Sequence, residues 1–142
     1  MNNFLVVFIF SIFLISYSTC DSEPSSSVIE GDDFKFSLLG FEKAVGIKRT
    51  LFGEGVPEGW QYYYLCEKSK GELKKKCGSW VDEKGNKIKN GNKVALKGTD
   101  LIISEISVKE GGRYTVIFED PKDESLGLRL YVGTRPPPPP KY

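Results

Sequence analysis

The sequence has no histidine anywhere in its 142 residues. Histidine-based acid–base chemistry and histidine-ligated metals are therefore excluded. Cysteine is scarce, with three in total, and Cys20 lies in the leading apolar segment. The remaining two, Cys66 and Cys77, make only half a zinc site. No serine sits in a nucleophile-elbow setting, and no glycine-rich phosphate loop follows a strand pattern. The adjacent acids Asp32-Asp33 and Asp82-Glu83 point to opposite faces of a strand, so neither is a catalytic pair by spacing. The chain is not expected to be an enzyme, and no cofactor or metal is expected. No segment carries a sustained helical period, and no sequon for N-glycosylation follows residue 20. With 20 basic against 19 acidic residues the formal charge is +1, which argues against nucleic acid as a partner.

What is present begins with an apolar run, Phe4 to Ile15, followed by the small residues of Ser16-Tyr-Ser-Thr-Cys20. Residues 1–20 read as a secretory signal, although the n-region has no Lys or Arg. A signal anchor is the rival reading, but the run is short for a membrane span. Cleavage after Ser18 or after Cys20 satisfies the small-residue rule; cleavage after Cys20 leaves an even pair of cysteines for an oxidising compartment. No later run is long enough to span a bilayer, so a secreted, extracellular protein is expected. Residues 21–27 read as a flexible acidic and serine-rich leader, 28–133 as one domain, and 134–142 as a tail in which Pro136 to Pro140 favour an extended polyproline conformation.

Within the domain, short β patterns follow one another between turn signals. Phe34, Phe36 and Leu38 alternate on one face, and a short candidate strand covers Ala44 to Leu51. Trp60-Gln-Tyr-Tyr-Tyr-Leu-Cys66 is the most aromatic strand pattern in the chain. A lysine-rich connection runs to Lys76, and Cys77 to Val81 reads as a short strand. Asn90-Gly91 favours the left-handed dihedrals of a tight hairpin. Leu101 and Ile103 lie two apart in an apolar run rich in β-branched residues and read as one half-buried face of a strand. Leu126, Leu128, Leu130 and Val132 alternate in the last strand. About eight or nine short strands predict an all-β sandwich of two antiparallel sheets.

Three motifs carry a family resemblance. Gly31-Asp-Asp-Phe-Lys-Phe-Ser-Leu38 resembles the opening of immunoglobulin strand B. Leu101-x-Ile103 followed by Glu110-x-Gly112-x-Tyr114 resembles strands E and F, with Tyr114 at the corner where its hydroxyl reaches back to backbone. The match spans about Gly31 to Val132 and is similar to a single variable-type immunoglobulin domain. The usual inter-sheet cysteines are replaced by Leu38 and Val116, a paired aliphatic substitution. The resemblance implies that Leu38, Leu101, Ile103, Tyr114 and Val116 are core residues. It also implies that Trp60–Cys66 is strand C and that Cys77 opens strand C′. A second disulfide, Cys66–Cys77, is then similar to that of receptors resembling the polymeric immunoglobulin receptor. Two free thiols are the alternative.

The aromatic stretch leaves two readings open. If Cys66 points outward, alternation sends Trp60, Tyr62 and Tyr64 outward and Tyr63 and Leu65 inward. If Trp60 is the core tryptophan, Tyr62 and Tyr64 are buried with it. Charge is uneven as well. Residues 67–97 hold ten lysines against four acids, a net of +6, and residues 21–34 hold five acids and no base. Two functions from different classes follow. The first is a secreted recognition domain that binds an extracellular, acidic protein through the C-C′-F-G sheet or its loops, with Trp60, Tyr62, Tyr64, Lys74, Lys75 and Lys76 as contact residues. The second is a toxin-like effector that binds an anionic glycan or membrane surface through the lysines. The sequence names no ligand and fixes no oligomeric state.

Overall fold

The computed structural model describes residues 22–123, 125 and 127–141. The leading apolar segment read as a signal, and Leu126 of the last strand pattern, lie outside the described residues.

The described residues form nine strands: β1 (Ser25–Ile29), β2 (Phe34–Ser37), β3 (Ala44–Leu51), β4 (Gln61–Tyr64), β5 (Trp80–Val81), β6 (Val94–Lys97), β7 (Asp100–Ile103), β8 (Gly112–Phe118) and β9 (Leu128–Gly133), with apolar–polar alternation plainest in β2, β4 and β6. A short helix, α1 (Gly71–Lys75), lies between β4 and β5, inside the stretch read as a non-helical connection. Six strands form one sheet in the order β1-β9-β8-β3-β4-β5, and three form the other in the order β2-β7-β6. This is an immunoglobulin-like sandwich of variable type: the larger sheet carries the two additional strands β4 and β5 beyond β3. One pairing is not antiparallel, because β1 runs parallel to β9 from Ser25 opposite Arg129 to Ile29 opposite Gly133. β1 begins three residues before Val28, inside the stretch read as a flexible leader.

The resemblance misplaced one strand. β3, not the aromatic stretch, lies beside β8, with Ile47 opposite Val116 and Arg49 opposite Tyr114. The Tyr-rich β4 is one place further out, with Ile47 opposite Tyr63. β3 therefore takes the position of strand C and β4 that of C′. Cys66 and Cys77 accordingly lie between β4 and β5 rather than between C and C′. Cys77 is not itself in a strand, since β5 starts at Trp80. Asn90 does adopt a left-handed φ of 60°, but no hairpin forms there. β5 and β6 belong to different sheets, so this turn carries the chain across the sandwich.

The core fills the space between the sheets. β2 contributes Phe34 and Phe36, with Leu38 just beyond its end, and β7 contributes Leu101 and Ile103. β3 contributes Ile47, β8 Tyr114 and Val116, and β9 Leu130. Leu38 and Val116 are each 4% exposed and come from opposite sheets. Aliphatic packing occupies the place a disulfide has in many sandwiches; burial of two such groups stabilises by roughly 1.5–3 kcal/mol each. The Tyr114 hydroxyl donates to the Glu110 carbonyl at 2.8 Å across the corner before β8. A 3₁₀ turn at Val108–Glu110 shapes that corner, and its Ser107 and Glu110 side chains cap it reciprocally.

Candidate functional site

β4 fixes the parity that the sequence left open. Gln61, Tyr63 and Leu65 are buried, whereas Trp60, Tyr62 and Tyr64 are half-buried on the opposite side. Tyr63 packs edge-on against Trp80, ring centroids 5.5 Å apart, and its hydroxyl donates to the Val94 carbonyl at 3.2 Å. Trp80, 1% exposed, is the core tryptophan; Trp60 is not. Tyr62 and Tyr64 stack on the outer face with centroids 6.2 Å apart and planes 9° from parallel. Residues two apart on a strand point the same way, so this stack follows from spacing alone.

Neighbouring strands complete the outer face. Lys48 of β3 stands opposite both Tyr62 and Thr115. Its ammonium lies 4.9 Å from the Trp60 ring centroid, a cation–π contact. Gly46 stands opposite Tyr64. A Cβ there would run into the Tyr63 carbonyl, so the close approach of β3 and β4 requires glycine. The Trp60 backbone is held as well, its main-chain N–H donating to Glu83 Oε1 at 3.0 Å. Lys48, Trp60, Tyr62, Arg113 and Thr115 border a cleft of about 330 Å³ that Asp120, Pro121 and Asp123 also line. Burial pushes the Tyr62 and Tyr64 phenols above their ordinary value, and Glu83 adds to this at Tyr62. Both rings stay protonated at neutral pH and can donate hydrogen bonds to a ligand.

The predicted contact lysines are elsewhere. Lys74 and Lys75 belong to α1 and Lys76 follows it; none of them borders the cleft. All three are exposed. Lys75 pairs with Glu72 at 2.7 Å, and Lys74 donates to the Cys66 carbonyl. Cys66 and Cys77 are bonded, with Cα atoms 5.0 Å apart.

The sequence reading missed a polar cluster behind the aromatic face. Arg49 is 2% exposed and has no carboxylate partner among the described residues. Its Nε donates to Gln61 Oε1 at 2.9 Å, and one terminal nitrogen donates to Asn92 Oδ1 at 3.2 Å and to the Tyr114 hydroxyl at 3.3 Å. The guanidinium carbon sits 3.9 Å from the Trp80 ring centroid. A signal for this existed. Arg49 shares the parity of Ile47, and Gln61 that of Tyr63, so both polar residues point inward and meet across the β3–β4 register. Among the described residues, no group of three or more Asp, Glu or Cys side chains is placed to hold a metal.

No family model matches the sequence, and no curated protein matches it. Among solved structures the chain is similar to the extracellular portion of mouse CD200RLa, at 18% identity and a TM-score of 0.47, over 82% of this chain and 58% of that one. The chain thus spans a little over half the length of that relative. It is also similar to the extracellular fragments of Novel Immune-Type Receptors 11 and 10 from Ictalurus punctatus. For receptor 11 the identity is 17%, the coverage 80% of this chain and 86% of that one, and the TM-score 0.45. For receptor 10 the values are 19%, 78% and 97%, and 0.45.

Proposed function

We propose that this chain is an extracellular, non-enzymatic recognition domain that binds a protein partner through the outer face of its six-stranded sheet. One observation carries the reading: Trp60, Tyr62 and Tyr64 stand together on that face, half-exposed, on a strand whose alternate residues anchor the core. Tyrosine and tryptophan bury much area for few rotatable bonds and are favoured interface anchors. The anchors are also pre-positioned. Tyr62 and Tyr64 rest on each other, Trp60 is held by Lys48 and Glu83, and the strand beneath is pinned by Tyr63. Little ordering cost then remains for binding. The cleft is electrostatically mixed: Lys48 and Arg113 share it with Asp120 and Asp123, and Arg113 is already paired with Glu23. The aromatic anchors rather than net charge therefore carry the reading. Secretion is supported by the leading apolar segment of the sequence and its small-residue end.

The test is a screen of the purified chain against an array of extracellular proteins, followed by alanine substitution. Trp60→Ala and Tyr64→Ala are expected to leave folding intact and to weaken capture of the identified partner by about 2 kcal/mol or more. Full retention of binding by both variants would remove this face from consideration.

A further inference from the structure

The four arginines and the many lysines of this chain are used differently. Arg49 is buried, Arg113 and Arg129 both hold Glu23, and Arg135 holds Asp32 at 2.9 Å. Between residues 67 and 97 every cation is a lysine, ten in all. Among the described residues only Lys75 of these ten has a carboxylate partner. The acids of the same stretch are already committed. Glu72 takes Lys75; Asp82 accepts the backbone N–H groups of Lys84 and Asn86; Glu83 accepts the N–H of Trp60. Only Glu67 of the four is left over.

Three contacts gather the lysines on one edge. The Cys66–Cys77 bridge folds residues 67–76 back beside the end of β4. The Lys76 ammonium lies over the next turn, where a Cβ at Gly85 would come within 3.1 Å of it. Val81 pairs with Lys87, and the Ile88 N–H donates to the Trp80 carbonyl at 2.9 Å, which lays that turn along β5. β5 is the last strand of the larger sheet. Lys74, Lys75, Lys76, Lys84, Lys87 and Lys89 are all exposed along it.

We propose that this lysine edge binds a linear sulfated polysaccharide, at a site separate from the aromatic face. The inference rests on the extracellular placement proposed above but not on the protein partner. Lysine carries a compact point charge on a flexible stem without arginine's planar fork, so this edge attracts anionic groups without selecting one rigid bidentate geometry. A membrane surface fits less well. Helices that bind bilayers pair their cations with an apolar wedge, and the large exposed apolar residues here (Ile29, Leu39, Phe52, Val108, Tyr131) all lie outside this edge.

The test is elution of the full purified chain from immobilised heparin, with desulfated heparin and phosphatidylserine vesicles as comparison probes. Retention at about 0.15 M salt is expected. Lys74→Gln/Lys75→Gln/Lys76→Gln and, independently, Lys84→Gln/Lys87→Gln/Lys89→Gln should each weaken heparin binding roughly tenfold and flatten its salt dependence. A control with the same charge change, Lys43→Gln/Lys109→Gln/Lys122→Gln, should elute as the unchanged chain, and so should Tyr62→Ala/Tyr64→Ala. Equal losses in the control, equal binding to desulfated heparin, or binding to vesicles as tight as to heparin would each overturn the proposal. An aromatic-face variant that lost heparin binding would place the site on the sheet face instead.

Discussion

Arg49 places a charge in the sandwich interior, where an uncompensated cation is costly. Its compensation comes from neutral groups: the Gln61 and Asn92 amide oxygens, the Tyr114 hydroxyl, and the face of Trp80. A planar guanidinium can donate in its own plane while stacking flat on an indole; an ammonium has neither the plane to stack nor the fixed fork that reaches these separate acceptors. Arg49→Lys is therefore expected to cost about 1–3 kcal/mol in denaturant unfolding, despite the conserved charge. Tyr114 joins this cluster to the corner, since its hydroxyl accepts from Arg49 and donates to Glu110. Burial pushes its phenol above the ordinary value, against the pull of Arg49, so it serves as a neutral donor. Tyr114→Phe should lower stability by about 1–2 kcal/mol, and an unfolding midpoint equal to that of the unchanged chain would speak against both bonds.

Among the elements, β4 divides cleanly into two faces. Tyr63→Ala removes a buried ring packed on Trp80 and should cost about 3–5 kcal/mol of stability. Trp60→Ala and Tyr64→Ala on the other face should stay within roughly 1 kcal/mol of the unchanged chain, because they open no core cavity. Denaturant curves for the three variants separate the faces without any ligand. The period of β4 was legible in the sequence, but its phase was not, because aromatics fit both a core and an exposed sheet. The rank of the strand was not legible either. Strand order is set by hydrogen-bonding partners far apart in the chain, and β3 offers no local sign of its central place. It contains Gly46, Lys48 and Arg49 and no aromatic residue. Gly46 is needed because β4 approaches closely there, a demand visible only once the two strands are paired. Strand β2, by contrast, announced itself through strict alternation, β7 through a run rich in β-branched residues, and β8 through the turn before Tyr114. α1 escaped notice because five residues are too few to display a helical period.

At the scale of the whole molecule, an ionic tie joins distant parts of the chain and a covalent one closes a short loop. Arg113 and Arg129 stand directly opposite each other on β8 and β9, a repulsive arrangement for like charges. Glu23, ahead of β1, bridges both. The hydrogen bond from Arg113 holds its carboxyl below the ordinary value of 4.5, and the bond from Arg129 adds to this. The folded carboxyl is the stronger acid, so its stabilisation is complete above pH 4.5 and is lost as pH falls through the lower folded value. Glu23→Gln should lower the thermal midpoint at neutral pH, more so at low salt, and the difference from the unchanged chain should shrink under acid. The second tie is Cys66–Cys77, which closes a short loop outside the core. Cys66→Ser/Cys77→Ser should cost roughly 2–3 kcal/mol by loop entropy while leaving the near-ultraviolet signature of Trp80 in place.

The parallel pairing of β1 with β9 has a mechanical consequence. Ser25 lies beside Arg129 and Ile29 beside Gly133, so the two strands leave the sheet in opposite directions. Tension applied between Ser22 and Lys141 drags one strand along the other and strains the whole ladder at once, whereas an antiparallel hairpin pulled from its open end parts one bond at a time. Bonds beyond the strands lengthen the loaded zone: the Glu30 N–H donates to the Gly133 carbonyl at 2.8 Å, and Arg135 grips Asp32. Rupture under load follows the unfolding barrier rather than the equilibrium free energy. A proline at Val28, in the middle of this ladder, should reduce the rupture force in single-molecule stretching by a larger fraction than it reduces stability in denaturant. The domain is thereby suited to staying folded while its two ends are pulled apart.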